Sequence, residues 1–196
     1  MVNTVSRSMK VPLFPLSSHV LPEGRMALRI FEPRYIRMVK QVCRDDTGFV
    51  VCMINQSGEG ENNTNIFPLG TFCKVIDFDV LDDGLLGLTI EGKHCVAITE
   101  IETEFDGLRI GECSKTNIWQ CDVPASELAP MDKRLKEVFD KYPEVSQLYE
   151  TCKYDNAVWV INRWLELLPL GAEQKQHFLA QPECTKVLEY LSQLIE

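Results

Sequence analysis

The sequence predicts an α+β fold, with strands gathered before about residue 120 and helices after it. Three observations carry this. Short apolar runs, often alternating and separated by Asp-Gly turns, fill residues 10–120. From Cys121-Asp122-Val123-Pro124 onward, apolar residues recur at helical spacing instead. Strands this short and this evenly spaced suit a curved sheet or small barrel rather than a parallel α/β sheet.

Residues 10–39 form the first unit, read as strand, loop, strand and helix. Val11, Leu13 and Leu16 alternate around Pro12 and Pro15. Two prolines remove two backbone donors, so this strand is expected on a sheet edge or broken. Pro22-Glu23-Gly24 turns the chain, and Met26 to Phe31 returns as a second strand. Pro33 suits the first turn of the following helix, whose core face is Tyr35, Met38, Val39 and Val42.

Residues 48–55 are a fully apolar strand, and 56–65, polar and glycine-rich, an exposed loop. Four further strand regions follow. Phe72 to Leu81 leads into the Asp82-Asp83-Gly84 turn, and Leu85 to Glu91 returns until Gly92 breaks it. His94 to Glu104 is the next strand, and Leu108 to Trp119 follows the turn at Phe105-Asp106-Gly107.

The later half reads as helices at Met131 to Tyr142, Glu144 to Cys152 and Asp155 to Leu168, with Asp155 as the cap of the last. Ala157, Val158, Ile161, Trp164, Leu165 and Leu168 form its stripe. Pro169 ends it. Ala172 to Ala180 is a short helix, and Pro182 opens a final one. Residues 1–9 are expected to be a frayed tail, 10–120 a β half and 121–196 a helical half.

The net charge of -9 disfavours nucleic acid as a general partner. Arg37, Lys40 and Arg44 share one face of the first helix. They are read either as an ordinary solvated face or as a docking patch for an acidic partner. No apolar run approaches the about 18 residues of a membrane span, and the first ten residues lack the apolar core of a secretory leader. A cytoplasmic protein is expected, its eight scattered cysteines reduced and most of them buried. Their spacing does not suit zinc, and no metal or cofactor is expected.

Catalytic motifs are sparse. Gly87 to Lys93 matches the start of a phosphate-binding loop, but His94 stands where Ser or Thr is required and the pattern continues as strand. Neighbours on a strand point to opposite faces, so His94 and Cys95 cannot act as base and nucleophile.

The segments PLFPL, PEGRMALRIFEPRY and RMV resemble the start of the Lon protease N-terminal, or LON substrate-binding, domain. Gly70-Thr71, Asp83-Gly84 and the run from Ala157 to Leu170 ending in E-L-L-P extend the likeness along nearly the whole chain. The family's Arg-Phe after Gly92 is replaced by His94 and Cys95. The resemblance implies a PUA-like, partly open β-barrel followed by a C-terminal helical bundle. It implies binding of unfolded or extended polypeptides without catalysis, in the role of an adaptor in protein quality control beside a protease or chaperone. The competing reading is an RNA-associated PUA-like protein. The family's ATPase and Ser-Lys protease parts have no counterpart in these residues. Glu32, Pro33, Arg34, Tyr35, Glu166 and Pro169 match family motifs and are expected to be structural, the first four as a clip between helix and sheet.

Overall fold

A computed structural model describes residues 8–60, 63–119, 121 and 123–195. The expected tail lies mostly outside the described residues, but Met9 is already strand, opposite Cys113. Six strands precede the long helices: β1 (Met9–Leu16), β2 (Arg25–Ile30), β3 (Phe49–Ile54), β4 (Ile66–Val80), β5 (Leu86–Thr103) and β6 (Arg109–Lys115). Helix α1 (Pro33–Arg44) interrupts them after β2.

The sheet order is β2-β5-β4-β3-β1-β6, and β6 also pairs with the second half of β5. That return pairing curls the sheet into a partly open barrel and leaves β2 outside the ring. All pairings are antiparallel except β1 with β3.

β1 is neither broken nor at an edge. Its first half, Met9 to Leu13, pairs with β6, and its second half, Leu13 to Leu16, pairs with β3. Pro12 therefore faces only Ile110, and Pro15 only Cys52. Each proline has a strand on one side alone, which is the condition the missing donor imposes.

Gly92 does not break β5 either. The ladder shifts register there, and the Gly92 N–H donates to the Gly24 carbonyl at 2.9 Å. A Cβ on Gly92 would stand 2.3 Å from the Leu21 carbonyl oxygen. Glycine is needed because the β1–β2 loop crosses the strand at that point.

Strand alternation sorts the β core onto two faces. Val11, Leu13, Val50, Cys52, Val96 and Ile98 fill the barrel side. Phe14, Phe49, Val51, Leu88 and Ile90 meet Met38, Val39 and Val42 of α1 on the other. That two-sided burial is why β3 reads as apolar at every position.

The helical half comprises α2 (Met131–Lys141), α3 (Pro143–Ser146), α4 (Ala157–Leu167), α5 (Ala172–Leu179) and α6 (Thr185–Ile195). The expected helix over 144–152 shrinks to the four residues of α3, and the last helix begins at Thr185 rather than Pro182. The cap of α4 is Asn156, not Asp155: its Oδ1 accepts from the Trp159 N–H at 2.9 Å. Asn156→Ala is expected to cost about 1 kcal/mol, whereas Asp155→Ala should leave the denaturation midpoint nearly unchanged. Paired urea titrations check this.

Tertiary closure also overturns the expectation of eight reduced thiols. Cys121, in the segment leaving the barrel, is disulfide-bonded to Cys184 at the entry to α6, with Cα atoms 5.4 Å apart. Sixty-three positions separate them, so no local spacing announces the pair. Cys43, Cys52, Cys73, Cys95, Cys113 and Cys152 remain free.

Candidate functional site

A cleft of about 810 Å³ opens at one end of the barrel. Apolar walls come from Phe14, Leu16, Leu28, Ile30, Phe31 and Ile54, that is from the ends of β1 to β3. Glu32, Arg34 and Tyr35 bring in the first turn of α1, and Gly60 and Asn65 the β3–β4 loop. Thr103, Gly107 and Arg109 complete the lining from the β5–β6 hairpin. Among the described residues, none of the helical half takes part. Phe31 is 66% exposed and stands at the rim. Open apolar surface framed by a few polar groups is the usual form of a binding site.

The polar part of this cleft is mainly cationic. Among the described residues Arg29, Arg34 and Arg109 line it against one carboxylate, Glu32, in a chain whose net charge is -9. Arg34 pairs with Glu32 at 2.5 Å and reaches the Gly107 carbonyl at 3.3 Å. Arg109 donates to Asn65 Oδ1 at 3.0 Å and meets no carboxylate among the described residues. Arg29 pairs with Asp83. Burial pushes the Tyr35 phenol up, while Arg34 and Arg109 both pull it back. Both cations are therefore felt at that ring, which packs on Phe14 with centroids 4.4 Å apart.

β2 borders the cleft and, among the described residues, has no strand on its outer side. The Arg25 N–H points outward, to the Tyr149 hydroxyl at 3.0 Å. Antiparallel alternation then carries the N–H and C=O of Ala27 and Arg29 to the same open side.

The predicted basic patch separates into unequal parts. Arg37 grips Asp106 at 2.7 Å and also Glu104, tying α1 to the β5–β6 hairpin and holding the Asp106 carboxyl below its usual range. Arg44 pairs with its neighbour Asp45 at 2.8 Å. Lys40 is exposed and has no ion pair among the described residues. Pro33 and Ile36 share this shallow surface with them.

Glu166 of the E-L-L-P segment lies at the junction of the two halves, far from the cleft. Its carboxylate takes Arg163 through contacts of 2.6 and 2.7 Å and accepts from the Leu21 N–H at 2.6 Å. Arg163 also donates to the Pro22 carbonyl at 3.2 Å. Burial raises the Glu166 carboxyl, and Arg163 and the Leu21 N–H oppose that rise. A Cβ on Gly24 would stand 2.3 Å from Glu166 Oε1, so the turn must be glycine to admit the clamp. Pro169 lies just past the end of α4. This junction is largely packed. A smaller recess of about 420 Å³ beside it is lined by Phe67, Leu170 and several polar residues. The larger of these two cavities thus lies within the β half, and the recess is lined by residues of both halves.

His94 and Cys95 diverge as strand alternation requires. His94 stacks on Phe72, with centroids 5.1 Å apart, while Cys95 is buried and its thiol is pushed up to about 12 by that burial. A thiol held protonated is no nucleophile at neutral pH. Residues 87–93 are continuous strand, without the loop and helix N-terminus a phosphate cradle needs. Among the described residues no cluster of His, Cys, Asp or Glu has the geometry of a metal site, and no helix is long and apolar enough to cross a membrane.

Sequence reasoning missed Arg109, Arg163 and the contribution of the β3–β4 loop. Arg163 left a signal, a charge pair three residues apart within an otherwise apolar helix. Arg109 left none, since it stands 75 positions from Arg34 in a strand of ordinary composition.

Comparison with known proteins agrees with this architecture. Residues 10–196 match the family model described as the ATP-dependent protease La (LON) substrate-binding domain. A Lon N-terminal domain protein from Xanthomonas campestris superposes with a TM-score of 0.73 at 29% identity, covering 96% of this chain and 99% of that one. The N-terminal domain of Mycobacterium avium complex Lon protease gives 0.65 at 11% identity, over 94% and 97% of the two chains, a likeness of fold alone. A Lon protease of Cytophaga hutchinsonii is 33% identical over 92 residues, which is 46% of this chain but only 11% of that protein.

Proposed function

The chain belongs to the LON substrate-binding domain family, and on that premise we propose that it binds unfolded or extended polypeptides in the barrel-end cleft without altering them. In this reading it acts in the cytoplasm as an adaptor in protein quality control, passing bound chains to a protease or chaperone. The observation that supports this most is the cleft itself: about 810 Å³, aromatic and aliphatic along its walls, and bordered by an open strand edge. Apolar walls take side chains of many sequences, and an open edge takes any extended backbone. The α1 face of Arg37, Lys40 and Arg44 is the proposed contact for an acidic second partner, with Lys40 as its uncompensated cation. RNA binding gains little support, because Arg37 is already committed to Asp106 and Glu104.

The test is fluorescence anisotropy with a labelled, reduced and carboxymethylated protein as the unfolded ligand. Binding is expected, weakened about tenfold in Phe31→Ser, since one exposed aromatic anchor at an interface is worth about 1–2 kcal/mol. Phe31 is mostly solvent-exposed, so the variant should fold normally. Absence of binding, or equal binding by the variant, counts against the cleft.

A further inference from the structure

We propose that the cleft reads the end of a chain: it captures an extended polypeptide by its C-terminal carboxylate, preferring an apolar last residue. This rests on the polypeptide-binding reading above and specifies which part of the polypeptide is held.

Charge, hydrogen bonding and shape converge on this ligand. Arg34 and Arg109 come from separate elements, α1 and β6, and line one cleft together with the Tyr35 ring. Glu32 offsets Arg34, but the partners of Arg109 among the described residues are neutral, Asn65 and the Gly60 carbonyl. The Tyr35 hydroxyl has no hydrogen-bond partner among the described residues, though its ring is packed on Phe14 and Arg34. A guanidinium with no carboxylate among the described residues, lining one cleft with a tyrosine hydroxyl, suits an anion. Carboxylate is the anion that arginine's planar fork suits, and a polypeptide carries one at its end.

The apolar part fixes the rest of the ligand. Leu16, Leu28 and Ile54 are only partly buried and line the same space. They offer room for an aliphatic side chain next to the cations. The outward N–H and C=O of Arg29 on β2 supply a short backbone ladder leading toward them. Strand addition, a side-chain pocket and carboxylate capture are each established modes of peptide recognition. Here one cleft offers all three.

The test uses the full chain and two fluorescein-labelled decapeptides of one sequence ending in Leu, one with a free carboxylate and one with a C-terminal amide. Amidation is expected to weaken binding at least about tenfold, the scale of a lost charge-assisted pair. Arg109→Gln should bring the acid peptide down to the affinity of the amide, and Arg109→Lys should restore part of the difference. Arg109 is half-buried and its partners among the described residues are neutral, so both variants should fold; circular dichroism checks that. Equal affinity of acid and amide overturns the inference, and if the unfolded protein still binds in a Phe31-dependent way, the broader reading survives. No binding of either peptide or of the unfolded protein overturns both. A single-stranded oligonucleotide that displaces the acid peptide at matched charge also overturns it, since the cleft would then be a general anion site.

Discussion

Arg163→Ala is expected to destabilise the chain by about 3–5 kcal/mol, the cost of breaking a buried ion pair on one side. The side chain is 1% exposed. It holds both oxygens of Glu166, donates to the β1–β2 loop, and lies 5.4 Å from the Trp159 ring centroid. Its removal leaves a buried carboxylate that keeps the Leu21 N–H and the charge of Lys175 but loses its direct ion pair. Urea denaturation at pH 7 should show the loss as a lower midpoint. Arg163→Met combined with Glu166→Leu should cost much less than the two single losses added together, because neither charge is then stranded. Additive behaviour would mean that the pair is not coupled in the folded chain.

Acidification from pH 7 to pH 5 is expected to remove about 2 kcal/mol through His19 alone. His19 lies in the β1–β2 loop, 5% exposed, with neither ring nitrogen hydrogen-bonded among the described residues. Burial first, then the positive charges of Lys175 and Arg163, hold the imidazole down at about 3, against an ordinary 6.5. The unfolded chain takes up a proton near pH 6.5 and the folded chain does not. The stabilising contribution is therefore complete above that value and falls as the pH drops toward the folded pKa. Denaturation of wild type and His19→Leu at both pH values isolates the term. The variant should lose about 2 kcal/mol less than wild type on acidification, and equal losses would contradict it.

Both effects belong to one junction, and the junction shows how far the sequence could be followed. Glu166 and Pro169 stand out in a motif, and the Pro22-Glu23-Gly24 turn is legible from composition. That Glu166 accepts from Leu21, 145 positions earlier, is written in neither segment. The same holds for the cleft. Glu32 to Tyr35 is visible as a motif, and its four residues read from sequence as a clip of structural value. Their apposition to Arg109 and Asn65 depends on β6 pairing with both β1 and β5.

The sequence by itself determined the division into strands and helices and most of the core, and the family resemblance implied the partly open barrel with its helical companion. The division and the core follow from local periodicity, because each element must turn one apolar face inward wherever it is placed. Tertiary structure alone decided that β1 pairs on both sides, that Cys121 meets Cys184, and that two arginines from separate elements share a cleft. Such contacts arise from how the ring of strands closes. Closure is a property of pairing between distant segments, and no window of neighbouring residues records it.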